Sequence, residues 1–570
     1  MSAHVTSNGQ APRKPNFLII LADDLGYSDL GCFGSEISTP NLDAIAKGGL
    51  RLSSFYTASA CSPTRSMLFS GTDNHLAGLG QMAETITRVD PSLFQGKPGY
   101  EGMLNQKVAA LSEILQADGY ETLMSGKWHL GLTRESVPAA RGFDKVFTLL
   151  SGAGNHYAHE PLLDDGTPVI KITPPLYMEN NEPIPYQSLK NFYSSRSFVD
   201  KLLQYLTESD HSKPTFSYLA MTAPHWPLQA PDEDIAKYKG FYDDGPEALR
   251  EKRLKKMAEL GLVDPDKKPA PLVTTFGTKR WSDLDEQERQ ESSKKMEVYA
   301  AMIEVMDREI GRLLDHLRKT GELDNTFVFF CSDNGAEGAL LEAIPILADE
   351  FQRLLPKYFD NSLENIGRKN SFTWIGPQWA QATTAPHRMY KAWNTEGGVK
   401  CPAILRYPGI KDGANAGSIE PSFATIMDIL PTILDLAGIV HPAPSFQGRQ
   451  VLAPRGRSWV PHLKGEVPDF HEESDIVGWE LFGQAAIRRG NWKALWLPAP
   501  AGPEKWQLFD LSKDPGEQQD LAETHPEKLA EMVEHWRIYE AETGTILVKP
   551  GPKYPANGFG FFTGFESVEA

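Results

Sequence analysis

Cysteine is scarce in this chain: four in 570 residues, at Cys32, Cys61, Cys331 and Cys401. So few thiols, so widely spaced, make neither a disulfide framework nor a thiolate metal cluster. Long apolar runs are missing too. None approaches the roughly 20 residues that a membrane-spanning helix needs. The leader MSAHVTSNGQAPRKPNFLII carries only a short apolar stretch after its lysine, too short for a secretory signal. A cytoplasmic protein with no membrane partner is the expectation. Basic charge is also in deficit, 57 Lys and Arg against 75 Asp and Glu, a formal net charge of −18. That excess opposes nucleic acid and anionic membrane as partners. It also means that an anionic substrate needs a local cationic cluster or a metal to reverse the sign of the field.

What is present is alternation. NFLIILADD (16–24), ETLMSGKWH (121–129), TFSYLAMTAPH (215–225) and TFVFFCSDNG (326–335) are short apolar runs that stop at polar residues, the pattern of buried strands. Helical patterns separate them. NLDAIAKGGL starts with Asn41 as its cap, and QKVAALSEILQADGY stops at Gly119. A long helix carries Met296, Tyr299, Ile303, Met306, Ile310, Leu313, Leu314 and Leu317 at three- and four-residue steps. The expected fold is α/β, a large mixed, mostly parallel sheet sandwiched by helices. After about residue 440 proline and glycine rise. DIVGWELF, QAAIRRGNWKALWL and WQLFDL then read as successive strands with a turn at Gly490-Asn491. A last helix after Pro526 carries Leu529, Met532, Val533, Trp536 and Tyr539 on one face. This predicts a catalytic domain over 1–455 and a small α+β subdomain over 456–570, an antiparallel sheet under a covering helix. Two long stretches, about 228–290 and 336–390, fit the alternation poorly and read either as pocket walls or as surface elaboration.

In a parallel sheet, ligands sit beyond the carboxyl ends of the strands. Four predicted strand ends deliver Asp23 and Asp24, then Lys127 and His129, then His225, then Asp333 and Asn334. Oxygen ligands of this kind suit a hard cation, Ca²⁺ or Mg²⁺, whereas zinc favours His and Cys. Each residue also has a plainer reading, since Asp at a strand end is often a helix cap and a lone His is often structural. Their convergence favours a site. Cys61 fits none of this as a thiol. Soft sulfur is a poor partner for a hard cation, and a cysteine hydrolase needs a Cys–His pair and no metal.

The resemblance that resolves the puzzle lies in CSPTR (61–65) and GKWHLG (126–131). They are similar to the C-x-P-x-R motif and the second signature of the type I sulfatases of the alkaline phosphatase superfamily. Similarity extends over nearly the whole chain, through TPNLDAIAKGGLR, TAPHWPLQAP, VFFCSDNGAEG, TEGGVKCPAILRYPG and LFDLSKDPGEQQDLA, and looks closest to bacterial-type arylsulfatases. Ser70, where threonine is more usual, and Lys400, where arginine is commoner, depart from the family pattern.

The resemblance implies an alkaline-phosphatase-like fold and a formylglycine made from Cys61 by a modifying machinery that reads Pro63 and Arg65. It implies one Ca²⁺, Mg²⁺ being the less favoured ion, held by Asp23, Asp24, Asp333, Asn334 and the modified Cys61. Arg65 and Lys127 would hold the hydrated aldehyde, and Lys391 would grip the sulfate. Asp333 is the family's candidate for taking the nucleophile's proton. His225, with Lys391, would protonate the leaving group, and His129 would deprotonate the second hydroxyl so that sulfate is expelled. The substrate expected is a small sulfate ester, aryl by default, and the chain a monomer. Two rivals stand beside this reading. One is a phosphate or phosphonate ester hydrolase of the same superfamily, whose metal motif tends to read Asp-His where this chain has Asp333-Asn334. The other is an inactive calcium-binding homologue whose Cys61 is never converted.

Overall fold

NFLIILAD is buried at all eight positions, and a strand with no exposed face belongs in the middle of a sheet. In the computed structural model, which describes residues 13–88, 91–275, 278–339, 348–409, 416–499, 501–547 and 565–566, the strand Asn16–Asp23 lies within an 11-stranded sheet. Five neighbours run parallel in the order Thr326–Ser332, Asn16–Asp23, Thr215–Pro224, Glu121–Lys127, Lys145–Leu149. On one side Lys400–Arg406 turns antiparallel and pairs with Leu50–Tyr56, which carries Ser418–Glu420 and Ala424–Thr425. On the other side the hairpin Tyr177–Glu179 and Glu182–Ile184 closes the edge. The sheet is mixed but mostly parallel, and all four anticipated strands lie in its parallel centre.

The helices Ser194–Thr207 and Glu286–Lys319 pack against each other and on the strand Thr215–Pro224. The long helix starts at Glu286, well before its apolar stripe begins at Met296, because Asp285 and Glu288 form a reciprocal cap there. The helix Pro40–Lys47 corrects one expectation. Asn41 does not cap it. Proline takes the first helical position, with Thr39 before it, and the Asn41 amide instead donates to Asp307 Oδ2 at 2.8 Å.

Beyond residue 440 Trp459 still packs into the large core, edge-on to Phe55 and tilted on Phe329. The strands Ile476–Leu481, Gln484–Arg489, Trp492–Trp496 and Trp506–Asp510 then form a four-stranded antiparallel sheet. The helix Pro526–Thr543 lays Met532, Trp536 and Tyr539 on Ala485, Ile487, Ala494 and Leu508. Trp479 and Leu481 join the main core, and the Trp479 indole donates to the Thr57 carbonyl at 2.8 Å. The small sheet is therefore fixed to the body, and one of its anchors is Thr57, just before Cys61 in the chain. Among the described residues no helix is long and apolar enough to cross a membrane.

Candidate active site

Cys61 opens a ten-residue helix, Cys61–Ser70, in which every residue is buried. Its thiol therefore sits at the positive end of the helix dipole, deep in the protein and facing the carboxyl edge of the sheet. The Sγ lies 3.3 Å from Asp23 Oδ1 and 3.8 Å from Asp24 Oδ1. One helical turn on, Arg65 donates from Nε and Nη2 to Asp333 Oδ2 at 3.1 and 2.8 Å, and from Nη1 to the Lys127 carbonyl at 3.0 Å. Lys127 donates to both oxygens of Asp23, at 2.9 and 2.7 Å. The parallel register explains why these residues meet: Asp23, Lys127, His225 and Asp333 terminate or follow four neighbouring parallel strands.

Asp24 adopts a left-handed backbone, φ 67°, which turns the chain at the strand end. Asn334 Nδ2 donates to Asp24 Oδ1 at 2.7 Å, and Lys391 Nζ donates to Oδ2 at 2.9 Å. His225 Nε2 is 3.5 Å from the same Oδ2. The His225 Nδ1–H donates to the Trp226 carbonyl at 2.7 Å, which leaves Nε2 as the bare nitrogen facing the site. His129, also left-handed at φ 58°, meets Glu84 Oε1 through Nε2 at 3.1 Å. Two glycines make room. A Cβ at Gly126 would fall 1.8 Å from the Ala220 carbonyl oxygen, and one at Gly152 would fall 2.6 Å from the His129 ring.

All ten anticipated residues are thus brought together. Three carboxylates, Asp23, Asp24 and Asp333, meet three cations, Arg65, Lys127 and Lys391. Burial pushes the Asp23 carboxyl up, but Lys127, with Arg65 and Lys391, outweighs it and holds it below the usual carboxylate range. Burial and the Asp23 charge push Asp333 up to about 6, against Arg65 and Lys127. Burial lowers His225 to about 3, so its ring is neutral. Burial also lowers His129, against the pull of Glu84. With neutral histidines the six charges cancel, and nothing remains to balance an incoming anion.

The residues fit a hard divalent cation that would supply that balance. One atom each of Asp23, Asp24, Cys61 and His225 lies within 4.8 Å of the others. The Asn334 side-chain oxygen is fully buried with no hydrogen-bond partner, and an amide oxygen left so costs about 1–3 kcal/mol. Asp333 stands beside this set, its oxygens accepting from the Asp24 N–H and from Arg65. Oxygen donors dominate, as calcium and magnesium require.

Two contributors escaped the sequence reading. Glu84 holds His129, and Glu337 holds Lys391 at 3.2 Å. Glu337 follows Asn334 by three residues in DNGAE, a signal that could have been used; Glu84 has none. As for the wall, the sequence alone leaves the long stretches open between pocket and surface. A small cavity of about 70 Å³ is lined by Cys61, His129, His225 and Lys391 and by Met82, Ile172, Trp226 and Phe482. Trp226 packs on Phe372 and Phe351, so part of the 336–390 stretch buttresses the pocket. Trp128, by contrast, is core, edge-on to Phe69 with its indole donating to the Ser136 carbonyl.

The carboxyl edge of a mostly parallel sheet thus gathers these charges around a buried cysteine. The sulfatase family profile matches residues 15–439, and the chain belongs to that family, whose activity is hydrolysis of sulfate esters. It is 55% identical to an uncharacterized sulfatase of Schizosaccharomyces pombe over 94% of this chain and 95% of that one. It is 37% identical to an arylsulfatase of Klebsiella aerogenes over 77% of this chain and 90% of the other. In fold it is similar to the crystal structure of Ps i-CgsB, with a TM-score of 0.64 and 23% identity over 94% of each chain. Members of the family typically use a metal ion and a formylglycine.

Proposed function

We propose that the enzyme cleaves small aryl sulfates, with formylglycine made from Cys61 as nucleophile and one bound calcium ion. The observation that carries this reading is the placement of Cys61: a lone buried cysteine at a helix N-terminus, 3.3 Å from Asp23, amid Arg65, Lys127 and Lys391. The calcium ion would be held by Asp23, Asp24, Asp333, Asn334 and residue 61, and it supplies fixed positive charge for the sulfate oxygens. The hydrated aldehyde supplies one hydroxyl for attack and a second for release of the bound sulfate.

The remaining work belongs to the chain. Arg65 and Lys127, each anchored on a carboxylate, hold the nucleophile's oxygens and stabilise negative charge on them; fixed donors of this kind are commonly the largest catalytic contribution. Asp333 accepts the nucleophile's proton. Lys391 grips the sulfate and delivers a proton to the leaving oxygen, and His225 would share that role once its Nε2, bare at rest, has taken up a proton. His129, oriented by Glu84, takes the proton whose loss re-forms the aldehyde. The aryl preference rests on two supports: the apolar lining by Met82, Ile172, Trp226 and Phe482, and the arylsulfatase relative. A cavity this small accommodates a sulfate head and leaves the rest of the ester to that apolar mouth.

Turnover of 4-nitrophenyl sulfate, 4-nitrophenyl phosphate, an alkyl sulfate and a sulfated monosaccharide tests the reading. The expected order places 4-nitrophenyl sulfate first. Cys61→Ala should lose roughly 10⁴-fold or more in kcat, the scale of removing a nucleophile. Faster phosphate turnover, or full activity in Cys61→Ala, would contradict it.

A further inference from the structure

Lys400, the residue that departs from the family pattern, begins the strand Lys400–Arg406 opposite Tyr56. Its ammonium stands 5.8 Å from the ring centroids of both Tyr27 and Tyr56. Among the described residues it has no hydrogen-bond or ion-pair partner. The nearby acid, Glu396, is engaged elsewhere, by Lys493 at 2.9 Å and by the Tyr56 hydroxyl at 2.5 Å. A half-buried ammonium without a counter-ion is costly to keep. Burial, helped by Arg488 and Lys493 against Glu396, lowers it to about 8.

Lys400 lines a cavity of about 540 Å³ that shares no lining residue with the pocket at Cys61. His387 lines it as well, edge-on to Tyr27 at 4.6 Å. It is 2% exposed, and its Nδ1 has no partner. Four lysines, at 255, 267, 268 and 400, outnumber the two acids of the lining, Glu259 and Asp264. This is a local excess of positive charge on a chain of net charge −18. Much of the remaining wall is apolar, from Leu254, Leu262 and Val263.

We propose that this cavity is a second binding site, for an organic anion whose oxyanion head lies between Lys400 and His387 and whose apolar body lies against Leu254, Leu262 and Val263. The ammonium supplies the charge and the imidazole a ring N–H, while the two tyrosine rings position the ammonium. Occupancy gives Lys400 the counter-ion that the fold withholds. Carboxylate, sulfate and phosphate heads share this chemistry.

The test uses 4-iodobenzoate on the intact enzyme, by calorimetric titration with and without saturating inorganic sulfate, and by crystal soaking with iodine anomalous scattering. The expected result is an iodine peak in this cavity and binding that survives sulfate. Lys400→Met should weaken binding about tenfold or more, the scale of losing one charged hydrogen bond, with 4-nitrophenyl sulfate turnover within twofold of wild type. Should Lys400→Met fail to fold, the exposed pair Lys255→Glu and Lys268→Glu replaces it, with a several-fold weakening expected. Parallel titrations with phenyl phosphate and benzenesulfonate rank the head groups. No binding at millimolar concentration, an iodine peak only at Cys61, or unchanged affinity in the variants would overturn the proposal.

Discussion

Two buried charge clusters lie close together in this enzyme, and they are built differently. At the seam between the body and the C-terminal sheet, His75 is closed on both sides, with Nδ1 on Asp73 at 2.8 Å and Nε2 on Glu480 at 3.2 Å. The Tyr539 hydroxyl completes Asp73 at 2.7 Å. Nearby, Lys493 joins Glu396 and Glu517 at 2.9 and 2.8 Å. At the carboxyl edge of the large sheet the same residue types leave gaps. The Asn334 oxygen, the His129 Nδ1 and the Trp226 indole N–H are buried without partners. Buried charge therefore does not mark the active site by itself. Unpartnered atoms also occur elsewhere, Gln81 Oε1 and Arg488 Nη1 among them; what sets the active site apart is that they gather there beside three buried carboxylates and three cations, where a closed network specifies a structure and an open one waits for ligand.

The comparison breaks most sharply at Lys391. Lys391→Ala should lose roughly 10²–10³-fold in kcat for 4-nitrophenyl sulfate, the scale of removing one fixed transition-state donor, and in the calcium-loaded enzyme, whose ion would offset the freed Asp24 carboxylate, its unfolding midpoint should fall less than that of the seam variant. Glu480→Ala should do the reverse. It leaves His75 charged and poorly compensated at the seam, a loss on the order of 3–5 kcal/mol in denaturant titration, while the folded fraction keeps its kcat. Equal stability losses at both sites would erase the distinction.

Metal removal sharpens it next. Exhaustive EGTA treatment should abolish turnover and lower the thermal midpoint, and calcium should restore both, since a ligand bound only to the folded state stabilises it by mass action. Undiminished activity after chelation would remove the metal from the account.

The seam carries a pH signature through His75. Burial lowers the His75 pKa, but Asp73 and Glu480 outweigh it and raise it to about 9, above the ordinary value near 6.5. A raised pKa gives stability that is fully present below about pH 6.5 and is lost as pH climbs through about 9. Unfolding free energy should fall by on the order of 3 kcal/mol across that window, and His75→Gln should flatten the slope. The smallest effect concerns substrate choice. Trp226→Ala should cost aryl sulfates roughly tenfold in kcat/KM and alkyl sulfates little, the scale of lost apolar contact in a pocket.

Much of the fold was legible because burial writes itself locally. NFLIILAD and TFVFFCS have no polar side to place, so both fall in the sheet centre, and the polar residue that ends each run marks the carboxyl edge. The site followed from that edge and from the resemblance carried by CSPTR and GKWHLG. What stayed hidden depends on pairs far apart in sequence. Glu84 meets His129 across 45 residues, Asp73 meets Tyr539 across 466 and Glu396 meets Lys493 across 97, and neither partner advertises the other. Asn41 misled for a similar reason: locally it looks like a cap, but Asp307, 266 residues away, claims its side chain.

The central claim, that Cys61 does not act as a thiol, is tested most directly by mass spectrometry of the tryptic peptide 52–65 from the native source. Conversion to formylglycine removes about 18 Da from that peptide, a product that lies off the ordinary ladder of cysteine oxidation. The account predicts the lighter peptide, in proportion to specific activity across preparations. Fully active enzyme carrying only unmodified cysteine at position 61 would contradict it.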